Sequence, residues 1–258
     1  MTLSQSIVLI DTLARLHLKG EARGYVLSYL WWILEPLLYV VVFYIVFEKL
    51  LQNQQPDFLE FLMVGKLAFI WFSKSVNQAA NSIESNKGLM AQLTLRKEIL
   101  PLAVIHQGLY RQLVVFSFLL IFLLLSDSAV TAAWWWLAPV LLIQALLTAA
   151  CGLWAALLVC LQRDCLLLIQ LGMLFLLFMS GVFWDLNAIP DERSRQWLLE
   201  LNPLATLIDC YRQILLHGVT PGHGDLTRVL MQGLVLLGLV LWAYSRLQYW
   251  IARQVISR

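Results

Sequence analysis

Residues 25–47 read YVLSYLWWILEPLLYVVVFYIVF and carry a single charge, Glu35. A run of this length, rising about 1.5 Å per residue, crosses a hydrocarbon core of about 30 Å with some tilt. Arg15, Lys19 and Arg23 precede it, and Gln52, Asn53, Gln54, Gln55, Pro56 and Asp57 follow. Basic residues at the near end place the N-terminus in the cytoplasm by the positive-inside bias, so the first span is expected to run outward. Pro36 lacks an amide donor and should bend this helix. Glu35 facing lipid would cost about 2.5–3.5 kcal/mol on insertion scales. Trp32, Glu35, Tyr39 and Phe43 recur at helical spacing on one side, which is expected to face a bundle interior or a wet path. The alternative is an aromatic interface belt with a structural glutamate bonded to a neighbouring helix.

The rest of the chain agrees with that solvent. Its 258 residues are 60% hydrophobic and 13% charged, with a mean hydropathy of +0.75. Soluble domains hold roughly 45–50% apolar and 25% charged residues. The expected fold class is all-α, a single polytopic permease-like domain over 1–258 with six spans at 25–47, 58–80, 99–125, 133–161, 165–183 and 226–244. Residues 3–18 read as an amphipathic helix lying in the interface, with Leu3, Ile7, Ile10 and Ala14 as its apolar stripe; a cap packed on the bundle is the other reading. No signal peptide is expected at the N-terminus. The cysteines, 151, 160, 165 and 210, have neither CxxC spacing nor histidine partners nearby, so neither a disulfide framework nor a metal site is expected.

The second span carries Glu60, Lys66 and Lys74. Lys74 can snorkel toward an interface, but Lys66 lies too deep to do so easily. It must pair with an acid such as Glu35 or line a water-filled route. After this span, residues 84–98 form a polar loop expected in the cytoplasm, where Ser85 or Asn86 could cap a short helix. Leu89, Met90 and Leu93 would project from it as an apolar knob, which suggests a protein partner; folding back onto the bilayer is the alternative. Further on, Trp134, Trp135 and Trp136 suit an outer interface.

Residues 184–216 are too short in their apolar parts for a crossing and show two short helical patterns. The first starts near Pro190 and includes Trp197. The second has Asn202 as cap, Pro203 at its first position, and Leu204, Leu207, Ile208, Tyr211 and Leu215 on one side. With six spans and both ends inside, ten of the 18 basic residues fall on the cytoplasmic side and five, including Arg212, outside. That asymmetry is the one the topology requires. There is no GxxxxGK[ST], HExxH or GxSxG motif, so the chain is expected to be no enzyme and to draw energy from another polypeptide.

Three stretches carry a family resemblance: Arg23-Gly24 leading into LSYLWWILEPLLYVVVFYIVF, AANSIESNKGLM with LRKEILPLA at 79–90 and 95–103, and GVFWDLNAIPDERSRQWLLELNPLATLIDCYRQILL at 181–216. Together they resemble the permease subunit of ABC exporters for O-antigen, capsular polysaccharide or teichoic acid. The resemblance implies a homodimer in the bacterial inner membrane, with lipid-linked polysaccharide as substrate. Two separate ATPase subunits would bind ATP-Mg, and the permease itself would need no cofactor; no nucleic acid is implied, and membrane lipids surround it. It implies ATPase coupling through Asn86, Lys87, Leu89, Met90, Leu93, Arg96, Lys97 and Glu98, the last three at the rim of the contact. Residues 184–216 would form an outer gate with Pro190, Trp197, Asn202, Pro203, Tyr211 and Arg212. Sugar rings pack on aromatic faces, so Trp32, Tyr39, Phe43, Trp71 and Trp184 are candidates for the substrate path beside Glu35. The same architecture could serve a permease for a small drug or lipid. A membrane-embedded transferase would need acidic metal ligands at one face, whereas the acids here are scattered.

Overall fold

A helix bearing Glu60, Lys66 and Lys74 is tolerated in a membrane only when neighbouring helices shield it from lipid, and the architecture meets that requirement. A computed structural model describes residues 3–23, 30–46, 57–88, 96–126 and 130–256. Its α-helices are α1 (Leu3–Arg23), α2 (Trp31–Tyr44), α3 (Phe58–Ser85), α4 (Ile99–Leu125), α5 (Leu137–Leu161), α6 (Cys165–Met179), α7 (Glu192–Leu201), α8 (Pro203–Leu215) and α9 (His223–Ile256). A 3-10 turn, Ala132–Trp136, leads into α5, and another, Leu186–Ala188, precedes α7.

α3 is the centre. It packs against α4 on one side and α5 on the other, with α2, α6 and α8 also on it. Eighteen of its 28 residues are buried, Lys66 among them. α9 lies along α5, and α1 lies along α4. The main core joins α3 to α8 through Phe58, Phe61, Leu62, Leu207, Ile208 and Tyr211. A second cluster, Ile83, Leu100, Leu157, Val240 and Tyr244, closes the Ser85 end of the bundle.

Ile99–Leu125, Ala132–Leu161 and His223–Gln248 are long and apolar enough to cross a membrane. α2 and α6 are apolar but shorter, and residues 25–29 and 47, which the sequence assigns to the first span, lie outside those described. α3 has the length and lacks the apolarity, because its outward residues face other helices rather than lipid.

Several expected boundaries move. α3 runs on to Ser85, and Asn86 turns back to donate to the Ser82 carbonyl at 2.8 Å. Ser85 and Asn86 therefore end a long helix, and helical residues resume directly after them at Lys87 and Gly88. α1 extends past residue 18 to Arg23, and α9 runs beyond 244 to Ile256. In α1, the stripe is divided: Ala14 is fully buried against the bundle, whereas Ile7 is 59% exposed. Polar contacts add to the packing at Ala14. Asp11 accepts from Tyr110 Oη at 2.6 Å and contacts His106 Nε2 at 3.2 Å, fastening α1 to α4.

Candidate functional site

α2 sets Glu35 against Lys74 of α3, with Nζ 2.5 Å from Oε2. The two side chains are 38% and 40% exposed, so the pair borders open space rather than core. Lys66, two turns nearer the Phe58 end, has no carboxylate within ion-pair distance among the described residues. Its Nζ is surrounded by rings, 4.8 Å from the centroid of Phe43, 5.5 Å from Tyr39, 5.8 Å from Phe183 and 5.9 Å from Phe69. Ring faces stabilise an ammonium through their quadrupoles. Lys74 has taken the acid that the sequence offered to Lys66.

Three cavities follow the same face of α3. One of about 300 Å³ lies between α2, α3 and α6 and is lined by Glu35, Tyr39, Lys66, Ser73, Lys74, Asn77 and Gln170, with Met173, Leu174 and Leu177 as its apolar wall. A second, of about 400 Å³, shares Glu35 and Lys74 and adds Glu21, Trp31, Trp32, Gln78 and Arg111. The third, of about 470 Å³, shares Glu21, Asn77, Gln78 and Gln170 and reaches Asn81, Ser85 and Asn86. Shared walls make these one groove. Lys66, Ile70, Lys74, Asn77, Asn81 and Ser85 succeed one another three or four apart, which is what gives α3 a polar face. Arg111 closes the α4 side, donating to Gln78 Oε1 at 2.6 Å and lying 3.3 Å from Glu21.

The region after α6 is held by two side chains. Gly181 adopts a left-handed φ of +67° just beyond Ser180, a conformation glycine reaches without a Cβ clash. Arg212 of α8 donates there, to the carbonyls of Gly181 at 2.6 Å and Val182 at 3.0 Å. The same guanidinium reaches Phe61 O at 3.3 Å and lies 3.4 Å over the Phe61 ring. Asn202 accepts from Leu204 N and Ala205 N, both at 3.2 Å, and donates to Ser180 Oγ at 3.0 Å. It thereby caps α8 and ties it to the end of α6.

Trp32, Glu35, Tyr39 and Phe43 all turn toward α3, on or beside this groove. Trp71 is 4% exposed and lies beside Gly108 of α4, where it lines an adjoining cavity with Trp32, Lys74 and Arg111. Trp184 is half-buried and donates to Phe178 O at 2.9 Å. Of the gate residues, Trp197 is 53% exposed on α7, whereas Asn202, Tyr211 and Arg212 are buried. Pro190 precedes the helix; Asp191 is its cap, accepting from Ser194 N at 3.1 Å. The bond from the Ser194 hydroxyl at 2.5 Å, with that from its backbone N–H, holds the Asp191 carboxyl below its ordinary pKa. Pro203 opens α8 as its spacing predicts.

Lys87 and Arg96 are exposed, and Arg96 pairs with Glu98 at 2.6 Å. Lys97 and Glu98 are buried within the chain, at 8% and 5% exposure, and so are not rim residues. Burial lowers the Lys97 pKa, against the opposing pull of the Glu98 carboxylate. Glu84 and Ser85, assigned by the sequence to the loop, belong to α3, while Leu89, Met90 and Leu93 lie outside the described residues. Groove residues that the sequence does not single out as a site include Glu21, Trp31, Ser73, Lys74, Asn77, Gln78, Asn81, Arg111 and Gln170. For those on α3 the signal was present, as a row of polar residues at helical spacing.

Comparison with known proteins agrees with this architecture. The sequence matches the family described as ABC-2 type transporter over residues 10–216. It is 28% identical over 237 residues to the O-antigen export system permease protein RfbA of Myxococcus xanthus, covering 92% of this chain and 90% of that one. A Klebsiella pneumoniae protein of the same name is 24% identical over 245 residues, covering 93% and 92%. The polysialic acid transport protein KpsM of Escherichia coli is 25% identical over 246 residues, covering 92% of each chain.

Proposed function

Because the chain belongs to the ABC-2 type transporter family, we propose that it is the permease subunit of an exporter for lipid-linked polysaccharide of the O-antigen class. It works as a homodimer with two separate ATPase subunits in the bacterial inner membrane, with both termini cytoplasmic. The observation that carries this reading is the continuous groove along α3. One wall is polar, from Lys74 to Asn86, and another is aromatic, with Trp31, Trp32 and Tyr39. Hydroxyl-rich sugars need both hydrogen-bonding groups and flat apolar faces on which their C–H surfaces can pack. In a homodimer two such grooves facing each other enclose a path. The names of the relatives, matched along nearly their whole length, support the same substrate class.

ATP-Mg binds to the partner chain, since this sequence has no phosphate-cradling loop. Residues 86–98 form the contact that transmits the ATPase motion. In cells that make the polymer, loss of this chain should leave the polymer inside, and the parent gene should restore surface polymer. Leu93→Asp should leave the permease inserted but fail to retain the ATPase on co-purification. Full surface polymer without the chain would overturn the substrate assignment. An intact, exporting Leu93→Asp complex would overturn the coupling assignment alone. Cysteine placed at Asp191 should react with an impermeant reagent in intact cells and cysteine at Lys87 should not; the reverse would invert the topology.

A further inference from the structure

Lys66 is the one feature of the groove that polymer passage does not explain. A glycan path needs hydroxyl partners and aromatic faces, not a lysine within the span. The side chain is 6% exposed and ringed by Phe43, Tyr39, Phe183 and Phe69. The nearby acid, Glu35, is bonded to Lys74, so among the described residues Lys66 has no carboxylate partner in the 300 Å³ cavity. Ring faces attract an ammonium but supply no negative charge. A buried cation with ring faces and no carboxylate around it among the described residues, at the edge of a cavity of about 300 Å³, is a seat for an anion that arrives with its own charge.

The cavity also indicates what the anion is attached to. Its α6 wall is apolar at Met173, Leu174 and Leu177, with Gln170 as its polar edge. Leu174 is 54% exposed, and beside it Leu171, Phe175 and Phe178 are 63%, 65% and 53% exposed. An apolar strip therefore runs directly from the cation. A sugar alone would gain nothing from such a strip, and an isolated inorganic anion would be repelled by it. An amphiphile with a phosphate head and a hydrocarbon tail satisfies both surfaces.

We propose that Lys66, with Tyr39 and Phe43 around it, is the seat for the phosphate or diphosphate ester head of a lipid whose tail lies on the exposed face of α6. This rests on the export reading for its biological meaning: the seat would hold the lipid-bearing end of the substrate while the glycan occupies the groove beyond Lys74. The ion pair of Lys74 with Glu35 screens the next position, so the anion is held at Lys66 rather than drawn along the groove.

The test uses the permease–ATPase complex in nanodiscs of zwitterionic lipid, with farnesyl diphosphate, farnesol and inorganic diphosphate as probes. Parent complex should bind farnesyl diphosphate more tightly than either fragment. Lys66→Gln should weaken that binding about tenfold or more, the loss expected for one charge-assisted contact. Lys66→Arg should stay within about threefold of the parent, and farnesol binding should be unchanged in both variants. Retention of the ATPase on purification shows that each variant is folded, and Lys66→Met replaces Lys66→Gln if the latter fails this check. Equal binding of farnesyl diphosphate by parent and Lys66→Gln overturns the seat. Inorganic diphosphate binding as tightly as the farnesyl ester, with the same dependence on Lys66, overturns the lipid part. Surface-polymer assays on the parent are read separately: normal export with no Lys66 dependence of binding sinks this inference and leaves the export reading standing. Lys66-dependent binding in a chain that exports no polymer does the reverse.

Discussion

Toward its Phe58 end, α3 is held by Arg212, whose guanidinium reaches carbonyls on two segments and covers the Phe61 ring. Toward its Asn86 end, the same helix presents Lys74, Asn77, Asn81 and Asn86 to cavities of about 300–470 Å³. Both ends carry polar side chains in a membrane helix bundle, yet they spend them differently. At the first end the guanidinium is consumed by buried backbone. At the second they are half-paired and border open space. Charge inside a bundle is therefore not one signal: a fully bonded guanidinium fixes structure, and a partly exposed ion pair marks a surface that can accept something else.

The largest effect should come from breaking the bonded end. Arg212→Leu leaves the carbonyls of Gly181 and Val182 without the Arg212 donor, removes the additional donor to Phe61 O, and should cost about 3 kcal/mol. The midpoint of thermal unfolding in detergent measures this. Arg212→Lys should recover little, because a single ammonium cannot reproduce the planar fork. An Arg212→Leu protein as stable as the parent would mean that the contrast between the ends is only one of exposure.

Gly65→Ala tests the same end more gently. A Cβ at Gly65 would lie 2.5 Å from Arg212 Nη2, so the guanidinium must shift. The expected cost is about 1–3 kcal/mol. In the Arg212→Leu background most of it should vanish, since the obstructed group is gone. Strict additivity of the two changes would place the strain elsewhere.

At the open end the ordering of stability and function should invert. The Glu35–Lys74 pair is more than a third exposed, so Glu35→Gln should change stability by less than about 1 kcal/mol. Export should nevertheless change, because Lys74 is released into the groove and its charge pattern is altered. Unchanged export in Glu35→Leu would remove the glutamate from the substrate path.

How far each end was legible follows from the same chemistry. The polar face of α3 could be read directly, because Lys66, Lys74 and the asparagines recur at helical spacing and lipid forbids that pattern. The start of α8 was equally plain, since Asn202 and Pro203 are local signals. Which lysine takes Glu35 could not be read, for it depends on the relative register of α2 and α3, and both lysines lie on the same face. Arg212 was counted among outer basic residues and assigned to a gate. Its acceptors are backbone carbonyls 30 and more residues away, and a carbonyl leaves no mark in sequence. The burial of Lys97 and Glu98, which sequence places at a rim, is hidden for a similar reason: it comes from packing around the start of α4, which no local pattern encodes.

The smallest effect belongs to α1, and it extends the comparison to a third use of charge, at an exposed junction. Asp11 accepts from Tyr110 Oη at 2.6 Å, lies 3.2 Å from His106 Nε2 and bonds Arg15 Nε at 2.9 Å. The bond from Tyr110 is the largest of the influences that hold the Asp11 carboxyl below its ordinary value of 3.8. A carboxyl whose pKa is lower when folded contributes stability above its ordinary value and loses it as pH falls further. The contribution of Asp11 should therefore be complete at neutral pH and should fade below pH 3.8. Because the group is water-exposed, α1 should loosen without the bundle unfolding. A fluorophore on cysteine at Lys19, which is exposed, reports this as a drop in anisotropy on acidification. Asp11→Asn should show a reduced anisotropy already at neutral pH and lose the acid step. Ala14, fully buried against the bundle, provides the competing attachment. If acid leaves the anisotropy of the parent unchanged, packing at Ala14 holds α1 and the polar junction is dispensable.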